Sequence, residues 1–86
     1  MNRSDAAAHA ENLMTQDPPP LSTQELQELI LLVGDRSNAA GRDVLAFTGA
    51  RSGAGIVAKI MIADPPERRV LLIAVRRALQ QARDQV

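Results

Sequence analysis

Between Thr48 and Ile56 the chain sets three glycines and two hydroxyl residues into nine positions, Thr48-Gly49-Ala50-Arg51-Ser52-Gly53-Ala54-Gly55-Ile56. Glycines at this density let a backbone approach a bound pyrophosphate. Gly53-Ala54-Gly55-Ile56-Val57-Ala58 fits the looser G-x-G-x-x-A form of a dinucleotide fingerprint, provided that a strand precedes it and a helix follows. Glu25, Glu28, Asp35 and Asp43 are the candidates for acid–base chemistry. Glu25 and Glu28 share a helix face at i, i+3, a spacing that on an exposed helix is ordinarily a solvated surface. Nucleophilic catalysis needs a base beside Ser or Cys. The chain has no cysteine, and its one histidine, His9, lies in a polar N-terminal segment.

The glycine run resembles the TGxxxGxG turn of short-chain dehydrogenases, over those nine residues and no further. A Rossmann unit needs more parallel strands and crossover helices, and only 31 residues follow Gly55. That family's Tyr-x-x-x-Lys has no counterpart, because the chain has no tyrosine. No Lys-Ser/Thr follows the glycines, so the phosphate-loop pattern fails too. The run is therefore expected to be an inter-helix connection whose glycines let helices pack closely. No enzymatic activity, cofactor or metal site is expected.

A different chemistry is written between Arg69 and Gln80. At roughly 100° per residue, Leu71, Ala74, Val75, Ala78, Leu79, Ala82 and Val86 fall on one core-facing stripe. Arg69, Arg76, Arg77, Gln80, Arg83 and Asp84 fall on the other side. Ile73 lands in the middle of that arginine-rich face, and Val70 also lies off the stripe. Either a neighbouring helix covers Ile73, or Ile73 is an apolar anchor ringed by arginines, a composition favoured at protein interfaces. The second reading makes Arg69, Val70, Ile73, Arg76, Arg77 and Gln80 the candidate partner-binding residues.

These residues ride on a helix expected over 64–86, the longest in the chain. Asp64 stands at its N-cap, Pro65 at the first helical position, and Glu67 completes a capping-box spacing. An earlier helix starts at Ser22, where Ser22-Thr23-Gln24-Glu25 fits a capping box with Leu21 as staple. Leu26, Leu29, Ile30 and Val33 repeat at helical spacing, Leu31 and Leu32 widen the apolar surface, and Gly34 supplies a stop. Asp35 to Asn38 reads as a turn in which Ser37 can cap the next helix. Ala40, Val44, Phe47 and Ala50 fit a helical face, although Val44 to Phe47 also fits a short strand.

Residues 55–63 fit a helix through Ile56, Val57, Ile60 and Met61. They also alternate like a strand, which would make 55–75 a hairpin turning at Asp64 to Glu67. The capping signals at Asp64 favour the helix. The expected fold is all-α: a small bundle of about four helices over 22–86, behind a disordered arm over 1–21. An α+β fold with a hairpin at 55–75 is the alternative.

The 86 residues suffice for one small domain with a thin core. Phe47 is the only aromatic and is expected to serve that core. Net charge is zero but uneven: −2 over 1–21, −1 over 22–55 and +3 over 56–86. A +3 segment is well short of a nucleic-acid footprint. The N-terminus has no apolar signal-peptide core, and no apolar run is long enough to span a bilayer. A cytoplasmic protein is expected, and the Arg-over-Lys bias with high alanine suggests a GC-rich bacterial genome.

In length and character the chain resembles the small helical antiactivators of bacterial mobile elements. The likeness rests on Leu26 to Asp35 (LQELILLVGD) and Gly55 to Ala82 (GIVAKIMIADPPERRVLLIAVRRALQQA), apolar helices in a short cysteine-free chain. It implies a protein that binds and silences a transcriptional activator, such as a quorum-sensing regulator of an integrative conjugative element. It transfers no functional residue. Two other classes fit the same sequence. A helix-turn-helix DNA-binding regulator would use helices near 39–50 and 52–63, although 55–63 offers only Lys59 to base edges. A secretion chaperone or antitoxin-like partner would share the small helical form. A homodimer is compatible with all three.

Overall fold

The computed structural model describes residues 18–85. Those residues are all-α, with no strand among them. Four helices follow one another: α1 (Thr23–Gly34), α2 (Ala39–Thr48), α3 (Gly53–Ile62) and α4 (Pro65–Asp84). The α+β alternative is overturned, since 53–62 is helical and Asp64 simply joins two helices. Every helix touches each of the other three. Leu29, Ile56, Leu72 and Val75 lie at the centre of the core.

Local chemistry sets each helix start. At α1 the Ser22 Oγ accepts from the Glu25 N–H at 3.1 Å, while Glu25 Oε1 accepts from the Ser22 N–H at 3.0 Å, so the expected capping box forms. At α2 the cap is Asn38, one residue later than expected. Its Oδ1 accepts from Ala40 N at 2.9 Å and Gly41 N at 3.4 Å. Ser37 is drawn away, because its N–H and hydroxyl donate to Asp35 Oδ1 at 3.1 and 2.6 Å.

At α3 the Ser52 Oγ accepts from Gly55 N at 3.1 Å. At α4 Asp64 occupies the N-cap, but its side chain makes no capping bond, so the expected capping box is absent. Pro65 and Pro66 take the first two helical positions and carry no N–H, which leaves fewer orphan donors to cap.

The helix ends differ too. Gly34 closes α1 without a left-handed turn; the extended Asp35 stops the helix. Gly49 is the one positive-φ residue described, at φ 71, and it ends α2 with its N–H on the Leu45 carbonyl at 2.9 Å. Arg68, from the first turn of α4, reaches back to the C-terminus of α3. It donates to the Ile60 carbonyl at 3.2 Å and the Ala63 carbonyl at 2.8 Å, a cation on the negative end of the helix. The run Ala39–Ile62 reaches a mean hydropathy of 1.2 in its most apolar window. The turn at Gly49 to Ser52 divides it into two ten-residue helices. Each rises only about 15 Å, half of a hydrocarbon layer.

Glycines allow α1 its close neighbours. A Cβ built on Gly41 would fall 2.6 Å from the Leu32 carbonyl oxygen, and one on Gly53 would fall 3.3 Å from Ile30 Cα. The expected close packing is therefore real at Gly53, whereas at Gly55 a Cβ would meet only ordinary contact distances.

Burial departs from the expected faces at several positions. In α1 the core side is Leu29, Leu32 and Val33, while Ile30 and Leu31 are exposed. In α2 it is Ala40, Gly41, Val44 and Thr48, and Phe47 is 60% exposed instead of serving the core. In α3 Met61 is exposed, and Ala63, which caps its C-terminus, is buried; in α4 Leu72 joins the core although it lies off the expected stripe. The domain also reaches back past Ser22. Leu21 packs on the core, and the Pro19 and Pro20 carbonyls accept from Arg76 Nη2 at 2.7 and 3.2 Å. The arm expected over 1–21 otherwise lies outside the described residues, as do His9 and Val86.

Candidate interaction surface

The six candidate partner-binding residues separate into two sets on α4. Val70, Ile73 and Arg77 border a groove of about 380 Å³ between α4 and α2. The α2 wall supplies Asp43, Val44 and Phe47. Val70 is 52% exposed, Ile73 49% and Phe47 60%. Three large apolar side chains thus lie about half open on one cleft, with the cation Arg77 and the anion Asp43 in its lining. Singly exposed apolar residues are ordinary; their convergence with an aromatic on one concavity makes this groove the candidate interaction surface.

Arg69, Arg76 and Gln80 lie outside that groove, and of these Arg76 turns toward α1. Arg76 Nε donates to Glu25 Oε2 at 2.8 Å and its Nη2 to Glu25 Oε1 at 3.2 Å, a two-pronged ion pair. The same Nη2 holds the Pro19 and Pro20 carbonyls. Arg76 is thereby committed to joining α4, α1 and the segment before α1. Arg83 repeats the ion pair two turns further along α4, donating to Glu28 Oε2 at 2.7 Å. Gln80 donates to Asp84 Oδ1 at 3.0 Å along its own helix. Arg69 is half-buried.

Of the four carboxylates weighed for acid–base work, Glu25, Glu28 and Asp35 are held by hydrogen bonds, and Asp43 lines the α2–α4 groove. Glu25 is held at about 2, below its ordinary 4.5, first by the Arg76 guanidinium and then by the Ser22 N–H. Arg83 lowers Glu28, and the two bonds from Ser37 lower Asp35. Among the described residues no three His, Cys, Asp or Glu converge as a metal site would require. The glycine run 48–56 is a corner between two helices, with a helix where a dinucleotide fingerprint needs a strand.

The Glu25 pair predicts a pH dependence. A carboxylate whose folded value is depressed stabilises the fold fully above its unfolded value and loses that contribution as pH falls through the folded one. The thermal midpoint is expected to drop between pH 4.5 and about 2. Glu25→Gln should start lower at pH 7 and fall less steeply over the same window. Circular dichroism melts across that range check both slopes.

Phe47 is the site residue that sequence reasoning placed elsewhere. Its i, i+3 spacing from Val44 reads as core. The available signal was Gly41 and Thr48, small residues on the neighbouring stripe that let α2 turn a different face inward. Compared with known proteins, the chain matches no family model, and no curated protein or solved structure is similar to it.

Proposed function

We propose that this is a small regulatory protein that binds and inhibits a bacterial transcriptional activator through the α2–α4 groove. One observation carries the reading: Phe47, Val70 and Ile73 stand open on a single cleft with Arg77 and Asp43 in its lining. Apolar anchors flanked by polar groups are how a small domain covers a face of another protein, with a few residues supplying most of the affinity. Relative to the surface expected from sequence, Phe47 joins the docking residues, and Arg76 serves the fold. The activator as target comes from the likeness to antiactivators of mobile elements; the cytoplasm as the place of action is the expectation drawn from the sequence.

The helix-turn-helix alternative gains little from α3. That helix exposes Ala54, Ala58, Met61 and Ile62, with Lys59 its only charged side chain. Base edges are read by Arg, Asn, Gln and Ser.

The test is a tagged pull-down from a bacterial host after nuclease treatment, comparing wild type, Ile73→Asp and Phe47→Asp. A transcriptional regulator retained by the wild type and lost by both variants is the expected result. Both side chains are largely solvent-exposed, so the helical content of the variants should match the wild type. Loss of helicity in Ile73→Asp would make Ile73 a core residue. Retention of the regulator by both variants would remove the groove from the reading. The absence of any nuclease-resistant regulator would remove the target class.

A further inference from the structure

A second concavity lies between α1, α2 and α3 and shares no lining residue with the first. It measures about 750 Å³, and its lining includes Ile30, Val33, Leu45 and Gly53. Three arginines line it, each from a different stretch: Arg36 before α2, Arg42 within α2, and Arg51 before α3. None of them forms an ion pair among the described residues, and no carboxylate lines the cavity.

The fold produces this segregation. Asp35, next to Arg36, lies in a different concavity between α1 and α4, with its carboxylate bonded to Ser37. Asp43, next to Arg42, faces the α2–α4 groove. A stretch with a net charge of −1 over 22–55 thus presents a purely basic hollow. Ile30, 56% exposed, supplies apolar surface inside it.

We propose that this hollow docks an acidic amphipathic segment of a protein partner. An apolar side chain of that segment would rest against Ile30, Val33 and Leu45, and its carboxylates would meet Arg36, Arg42 and Arg51. Guanidinium–carboxylate pairs of this kind are short and directional. The apolar lining favours a peptide over a nucleic-acid backbone. A backbone rewards a long track of phosphate contacts and gains nothing from an exposed isoleucine. The proposal is independent of the α2–α4 groove and stands or falls without it.

The experiment titrates the full chain with a short fluorescent helical peptide that carries glutamates along one side and leucines along the other. Anisotropy gives the affinity, and amide shifts give the site. The expected result is saturable binding with shifts at Ile30, Gly53 and Ala54. The triple variant Arg36→Glu/Arg42→Glu/Arg51→Glu should lose about tenfold or more, and Ile30→Asn should also weaken binding. Met61→Ala, on the exposed side of α3 and outside both concavities, should leave the affinity unchanged. The three arginines hold no hydrogen-bond or ion-pair partner among the described residues, so the triple variant should keep the wild-type melting profile. Absence of binding, or binding indifferent to both the triple variant and Ile30→Asn, overturns the proposal. A duplex DNA probe that binds more tightly than the peptide, with a steep salt dependence, also overturns it and assigns the arginines to phosphates.

Discussion

Gly41→Val is expected to unfold the domain or leave it barely folded. Any Cβ at this position arrives 2.6 Å from the Leu32 carbonyl oxygen and 3.2 Å from its carbon. Both are backbone atoms, in the last turn of α1, so no rotamer change makes room. The two helices would have to separate, opening the core on both sides of Leu32 and Val44. Two terms compete. Replacing a helical glycine with a residue of better propensity returns at most about 1 kcal/mol. Over-packing costs roughly 1–3 kcal/mol where side chains can yield, and more where they cannot. A domain of this size has roughly 3–10 kcal/mol of stability in all. Gly41→Ala should thus lower the urea midpoint clearly, and valine, with two more methyls, should consume most of what remains. A Gly41→Ala protein as stable as wild type would show that α1 and α2 are not in this contact.

Leu72→Ala is the second large effect, expected to cost about 2–5 kcal/mol as a buried truncation. Leu72 is 1% exposed and is one of the four side chains at the centre of the core. Its neighbour Ile73 is 49% exposed, and the same truncation there should cost under about 1 kcal/mol of stability. Chemical denaturation of the pair reads the difference directly. Equal costs at the two positions would mean that α4 is rotated from the orientation described here, and that the α2–α4 groove has a different lining.

That pair also shows how far the sequence could be read. Periodicity placed Val75, Ala78 and Leu79 inward, as observed, and left Leu72 out, because a single stripe was assumed for α4. The helix instead packs against α1, α2 and α3 together, so its buried arc is wider than one partner would make it. Capping was legible where it depends on two residues alone, as at Ser22 and Glu25. It was misread where a third group intervened. Asp35 claims Ser37, which passes the cap to Asn38. At Asp64 the two prolines make capping less necessary.

The α2–α4 groove was half legible. Val70, Ile73 and Arg77 could be placed by turning a helical wheel, since all three lie on one element. Phe47 and Asp43 could not, because their position depends on which face of α2 meets α1. That choice is made by Gly41 and Thr48, residues that an apolar template does not count. The two ion pairs of α1 with α4 link positions 51 and 55 apart in sequence, and nothing local marks them.

The separation of Arg42 from Asp43 bears on the rate at which the proposed acidic partner would be found. A molecule whose charges cancel in total still turns in an electric field if its positive and negative groups lie on different sides. A neutral chain with a basic hollow on one side approaches an acidic surface already oriented, before any atoms touch, and fewer encounters are wasted in the wrong pose. Such guidance acts over about a Debye length, roughly 10 Å in 0.1 M salt. It quickens association and leaves the lifetime of the finished complex to the apolar contacts.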